Sequence, residues 1–193
     1  MAIVKELHDM PIAIETTKAN EQHYEVPAKF YTLCLGPNKK YSSGLWEDCT
    51  ATSKGLIKEH GKWLSYYDSL QRSEEAMLDL YIERAQISNG MKVVDLGCGW
   101  GSLTLHLMKR LPDVKVTSIS NSNSQREYIY NTAKERGYKV ENLRVITCDV
   151  SKWEDEAYCK EVLNGVEGND RVLSIEMCVR IRCKYVILSK FLP

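Results

Sequence analysis

The stretch Val93-Val94-Asp95-Leu96-Gly97-Cys98-Gly99-Trp100-Gly101 constrains this 193-residue chain more than any other. A short apolar run ends in alternating glycines, and a helical pattern over Leu103–Leu111 follows and stops before Pro112. Glycines at a strand-to-helix turn adopt backbone angles that other residues resist, and they let a ligand approach the main chain. The spacing is D-x-G-x-G-x-G. A dinucleotide fingerprint needs GxGxxG, and the position three after Gly99 is Ser102. Neither GxxxxGKS nor GxxxxGKT occurs, which disfavours a P-loop nucleotide site. Asp95 suits a cationic or hydroxyl-bearing ligand better than a pyrophosphate. A purely structural turn would use the same glycines, but the acid and the flanking elements agree with them on a binding loop.

Around the loop, strand and helix patterns alternate. Met91–Leu96, Val114–Ile119, Leu143–Thr147 and Val172–Ile175 read as strands, and Gln125–Arg136 and Glu154–Leu163 as further helices. Such alternation implies parallel strands joined by right-handed crossovers, hence a doubly wound α/β sheet with its ligand at the carboxyl ends of the strands. Upstream, residues 1–50 form an irregular arm punctuated by Pro11, Pro27, Gly36-Pro37 and Ser42-Ser43-Gly44. The pattern over 53–70 predicts a helix interrupted at Gly61, and a second helix is predicted over 74–86 with Ser73 as its N-cap.

Composition removes several function classes. Hydrophobic residues at 44% and charged residues at 27% describe a folded soluble chain rather than a disordered one. The formal net charge of +0 lacks the footprint of a general nucleic-acid binder. No apolar run approaches the roughly 20 residues of a membrane span, and the N-terminus lacks the apolar stretch of a secretory signal. Seven cysteines without a CxxC pair read as reduced thiols of a cytoplasmic protein, with no disulfide framework and no metal site.

DLGCGWG resembles the S-adenosylmethionine loop of class I methyltransferases. Its tryptophan resembles the cyclopropane fatty acid synthase superfamily, which includes the coclaurine N-methyltransferase-like enzymes. His23-Tyr24-Glu25-Val26-Pro27 with Phe30-Tyr31 is similar to that family's HY…FY motif, and Lys40-Tyr41-Ser42-Ser43 to its KYSS segment. Ser120-Asn121-Ser122-Asn123-Ser124-Gln125 is similar to its SNSxxQ. The likeness covers most of 16–176 apart from about 50–72. It implies a class I Rossmann-like sheet with a helical N-terminal arm, and S-adenosyl-L-methionine as cofactor. Its acceptor would be a small-molecule amine or a lipid.

The resemblance assigns the cofactor to Val93, Val94, Asp95, Leu96, Gly97, Cys98, Gly99, Trp100 and Gly101 in the loop. After the second strand it adds Ser120, Asn121, Ser122, Asn123, Ser124 and Gln125, in place of the acid that generic class I enzymes use for the ribose hydroxyls. Asp149 and Val150 match the adenine-end positions, and Tyr41 and Ser42 the tip that closes over the cofactor. On residue type alone, Asp149 would be an ordinary capping residue and Tyr41 a packing residue.

The chain departs from the family after the fourth strand. Where the amine-methylating branch resembles SIEMFEHM, this chain reads Ser174-Ile175-Glu176-Met177-Cys178-Val179-Arg180-Ile181. Glu176 matches the first glutamate and is the candidate catalytic residue. Val179 and Arg180 replace an acid and a histidine, and neither valine nor an always-charged arginine can act as a general base. Residues 177–193 carry Arg180, Arg182, Lys184 and Lys190 and no acid. That tail suggests either contact with anionic lipid or a non-homologous end, of which C-terminal truncation is the favoured reading. About four of the family's seven strands are expected, so the fourth becomes an exposed edge able to self-associate. Extra residues over Lys54–Arg72 read as an insertion that could shift the Tyr41-Ser42 tip.

The expected division is a cofactor-covering arm at 1–72, a Rossmann-like core at 73–176 and the atypical tail at 177–193. The expected activity is S-adenosylmethionine-dependent N-methylation of a small amine, weak or absent in this chain. The alternatives are methyl or methylene transfer to unsaturated acyl chains, or a non-catalytic cofactor- or partner-binding fragment. A nicotinamide-dependent oxidoreductase is disfavoured by Ser102 and by the missing acid after the second strand.

Overall fold

A computed structural model describes residues 28–46, 49–51, 56–59, 62–153, 155–166 and 168–177. The His23–Pro27 motif and the tail from Cys178 onward lie outside the described residues. In chain order the elements are α1 (Ala28–Cys34), β1 (Cys49–Ala51), β2 (Leu56–Glu59), β3 (Lys62–Ser65) and α2 (Tyr66–Arg84). There follow β4 (Lys92–Leu96), α3 (Ser102–Arg110), β5 (Lys115–Ser120), α4 (Asn123–Glu135), β6 (Leu143–Thr147), α5 (Glu156–Val162) and β7 (Arg171–Leu173).

Four parallel strands in the order β6-β5-β4-β7 make the main sheet, a partial Rossmann-like fold of the predicted α/β class. Strand β4 is buried at four of its five positions, as a parallel strand covered on both faces must be. Alternate residues then feed opposite cores. Val93, Val116 and Val145 pack with Leu78, Leu103, Leu107 and Ile129 of the helices on one face. Val94, Ile119 and Ile146 pack with Trp153, Cys159 and Leu163 on the other. Among the described residues, no strand pairs with the outer edge of β7.

The arm departs from expectation. The helix predicted over 53–70 is instead a β2–β3 hairpin pairing Ile57 with Leu64 and Lys58 with Trp63, and β1 adds a third antiparallel strand. Glycine inside a helix costs about 1 kcal/mol, and the short apolar runs on either side of Gly61 form strands instead. Helix α2 begins at Tyr66, where Ser65 is the N-cap. Ser65 Oγ accepts from the Asp68 N–H at 3.1 Å and donates to Asp68 Oδ2 at 2.6 Å. Ser73, predicted as that cap, lies within the helix and donates to the Leu70 carbonyl at 2.9 Å. The helix therefore runs straight through position 72–73, where the arm and core were expected to divide.

Strand β7 is shorter than predicted, and Ser174 and Ile175 lie beyond it. Helix α5 starts two residues late because Asp155 caps it, its Oδ1 accepting from the N–H groups of Ala157 and Tyr158.

Candidate cofactor cleft at the carboxyl ends of the strands

The register sets Leu96 beside Ile119, Ser120 beside Thr147 and Asp95 beside Leu173. The segments that leave β4, β5, β6 and β7 therefore share one edge of the sheet. The N–H groups of Gly97 and Cys98 both donate to the Ile119 carbonyl, at 2.9 and 3.0 Å, which ties the glycine loop to β5. A methyl group on Gly101, at φ +78°, would lie 2.6 Å from Ile129 Cγ1, so that glycine is needed for packing of the loop on α4. On Gly97 it would collide with the Met177 side chain. At Gly99, φ +53°, it would meet nothing within 4 Å. Gly99 is thus the loop glycine whose main chain faces open space, where a ligand can lie against it.

The other loop residues hold that surface from behind. Val93, Val94 and Leu96 are core. Trp100 is buried against Tyr31 and Tyr128, with ring centroids at 5.1 and 5.5 Å. Lys39 Nζ sits 3.8 Å from the Tyr128 ring centroid and 5.5 Å from that of Trp100, a cation–π cluster that docks the arm on the loop. Burial pushes the Cys98 thiol well above its usual range, so it is inert rather than nucleophilic.

Asp95 lies beneath the loop. Its side chain is buried, and burial raises its carboxyl to about 6 against the opposing hydrogen bond from Thr104. Thr104 Oγ1 donates to Asp95 Oδ2 at 2.7 Å and lies 2.7 Å from Ser118 Oγ. The acid of the motif thus clamps β4 to α3 and β5.

After β5, Ser120 Oγ donates to Gln125 Oε1 at 2.5 Å, both residues being buried, and accepts from the Ser122 N–H at 3.1 Å. Ser122 is the N-cap of α4 and lies 2.9 Å, Oγ to Oγ, from Ser124. Asn121, Asn123 and Ser124 are exposed. After β6, the Cys148 N–H donates to the Ser120 carbonyl at 2.8 Å, and the Asp149 N–H donates to Tyr158 Oη at 3.0 Å. Val150 packs on the second core. The structure thus brings the three predicted cofactor segments to one edge, while Asp95, Ser120 and Gln125 spend hydrogen bonds internally.

The tip reaches the same edge, where Ser43 meets Glu176. Tyr41 is 67% exposed, its ring 6.1 Å from that of Tyr31. Lys40 donates to Ser42 Oγ and lies over the Tyr81 ring at 5.1 Å. Burial lowers the Lys40 ammonium, opposed by the charges of Glu176 and Glu74. Ser43 donates through its N–H and its hydroxyl to Glu176 Oε1, at 3.0 and 2.9 Å. Behind the tip, buried Glu74 accepts from Asn38 N–H and Nδ2 at 3.2 and 3.1 Å, and burial raises its carboxyl. Gly36 permits this approach, since a methyl there would overlap the Glu74 carboxylate. Ser43, read only as part of the KYSS segment, and Glu74 were not singled out from sequence; Gly36, which makes room for the Glu74 carboxylate, was the signal for the latter.

The sequence profile of the family described as mycolic acid cyclopropane synthetase matches residues 13–185, which continues past Glu176. The chain is 36% identical over 156 residues to pavine N-methyltransferase of Thalictrum flavum subsp. glaucum, covering 81% of this chain and 38% of that protein. It is 30% identical over 188 residues to (S)-coclaurine N-methyltransferase of Papaver somniferum, covering 97% of this chain and 45% of the relative. The crystal structure of coclaurine N-methyltransferase bound to N-methylheliamine and SAH superposes with a TM-score of 0.77 at 32% identity, over 98% of this chain and 47% of that one. The chain therefore spans less than half the length of these relatives.

Proposed function

The chain belongs to the mycolic acid cyclopropane synthetase family, and from that premise we propose that it binds S-adenosyl-L-methionine along the cleft at Gly99. The activity of the whole protein is then methyl transfer to the nitrogen of a small amine. The open space over Gly99, at the edge shared by the segments after β4, β5 and β6, carries this reading. Gly99 would supply main chain for the amino-acid and ribose portion, with Gly97 and Cys98 tying the loop to β5 through their N–H groups. Asn121, with Ser120 and Gln125 shaping its turn, would hold the ribose, and Asp149 and Val150 would hold the adenine. The cofactor supplies an activated methyl on a sulfonium leaving group. The protein's part is to align donor and nucleophile and to keep the amine unprotonated. Val179 and Arg180 provide no base, so methyl transfer by this chain is expected to be weak.

The pavine and coclaurine relatives support the amine acceptor over the lipid one. No helix among the described residues is long and apolar enough to cross a membrane. A cytoplasmic location belongs to the same proposal and rests on the sequence pattern of seven cysteines without a CxxC pair. The outer edge of β7 supports pairing of two copies, for which a dimer in sedimentation is the expected result and a monomer at all concentrations the contrary one.

Gly99→Ala tests the cleft. With no clash to relieve, the substitution costs only the left-handed backbone strain of about 1–2 kcal/mol. The added methyl stands where the ligand would lie. Calorimetric titration with S-adenosylhomocysteine is expected to show at least a tenfold weaker Kd, about 1.4 kcal/mol, in a folded variant. Equal affinity in the two proteins would remove Gly99 from the site.

A further inference from the structure

We propose that Glu176 and Ser43 form the catch of a lid, in which the Tyr41–Ser43 tip is held closed over the cofactor cleft by the segment leaving β7. The cleft itself rests on the reading above. Glu176 has φ +54°, a left-handed conformation that a non-glycine residue keeps only where its surroundings impose it. Two contacts impose it. On one side Oε1 accepts both the N–H and the hydroxyl of Ser43. On the other, the next residue, Met177, is seated on Gly97, whose missing side chain makes the room. The glycine loop, Met177, Glu176 and Ser43 therefore form one continuous chain of contacts across the cleft edge.

The tip is anchored at both ends of its short span. Lys40 bonds Ser42 over the Tyr81 ring, and the Leu45 N–H donates to the Ser73 carbonyl of α2 at 2.8 Å. Between these anchors, the Ser43–Glu176 pair lies at the surface and joins residues 133 apart in the chain. Exposed hydrogen bonds between otherwise separate segments are the ones that open first, which suits a gate for cofactor exchange. The assignment makes Glu176 and Ser43 positioning residues, with the carboxylate engaged by the lid.

Amide hydrogen exchange of the tip and dissociation of S-adenosylhomocysteine, both on the full chain, test the catch. Glu176→Ala is expected to speed exchange of the Ser43 amide at least tenfold and ligand dissociation about tenfold. Glu176→Gln keeps an acceptor oxygen and is expected to restore both to within about twofold, which loss of a charge-dependent role would not allow. Ser43→Ala added to Glu176→Ala is expected to change neither rate further, since one contact is removed twice. Unaltered Ser43 exchange in Glu176→Ala, or a glutamine variant as fast as the alanine one, would overturn the catch. Failure of the unsubstituted chain to bind S-adenosylhomocysteine would instead defeat the cofactor reading, and Ser43 exchange would still decide the catch.

Discussion

Gly101→Ala is expected to lower the unfolding free energy by about 3 kcal/mol, the sum of about 1–2 kcal/mol for a left-handed alanine and about 1–3 kcal/mol for overpacking. The conformational part comes from φ +78°, and the packing part from a methyl placed 2.6 Å from Ile129 Cγ1. Ile129 cannot step aside easily, because it is fully buried between the glycine loop and the sheet. At about 2–4 °C per kcal/mol for a chain of this size, the transition should fall by roughly 6–12 °C. Gly137→Ala is the control. Its φ is +70°, but a methyl there meets nothing within 4 Å, so it incurs the strain without the clash. Equal losses in the two variants would show that the loop is not packed on α4 as described.

Asp95→Asn is expected to change how stability depends on pH, by about 2.4 kcal/mol between pH 4 and pH 7 out of about 3 kcal/mol for the whole titration. The folded carboxyl titrates at about 6, raised from 3.8 chiefly by burial, so the folded state holds its proton where the unfolded state has released it. Its contribution is therefore fully present below pH 3.8 and is lost as pH rises through 6. Asparagine keeps the shape and an acceptor for the Thr104 hydroxyl without the titration. The variant should thus gain on the unsubstituted protein as pH rises from 4 to 7. Comparing the two proteins isolates this group, since others also contribute. Burial raises Glu74 with the same sign, while burial lowers His106, whose contribution is lost as pH falls below its ordinary 6.5. Urea midpoints at four or five pH values give the result, and parallel curves would mean that Asp95 is hydrated.

The main sheet was legible because its signals are local. Val93, Val94 and Leu96 form a buried run that ends at glycines, and Ser122 caps the next helix within its own motif. The hairpin at β2 and β3 was not, because strands of four residues are too short for periodicity to separate them from helix, and Gly61 reads equally as a helix interruption. The motif polar residues were found but their directions were not. Asp95 and the Ser120–Gln125 pair are compatible by type with holding a ligand or one another, and only packing decides. The Glu74–Asn38 and Glu176–Ser43 contacts join residues 36 and 133 apart, beyond any local pattern.

Thermal unfolding of the 193-residue chain with increasing S-adenosylhomocysteine tests the cofactor cleft most directly. A ligand that binds only the folded state adds about 2.7 kcal/mol at a hundred times its Kd, or roughly 5–11 °C in Tm at this chain length. A rise of that size that keeps growing with the logarithm of ligand concentration, and that falls to about half or less in Gly99→Ala at the same concentration, is the expected result. A cooperative transition that stays at one temperature up to millimolar ligand would contradict it.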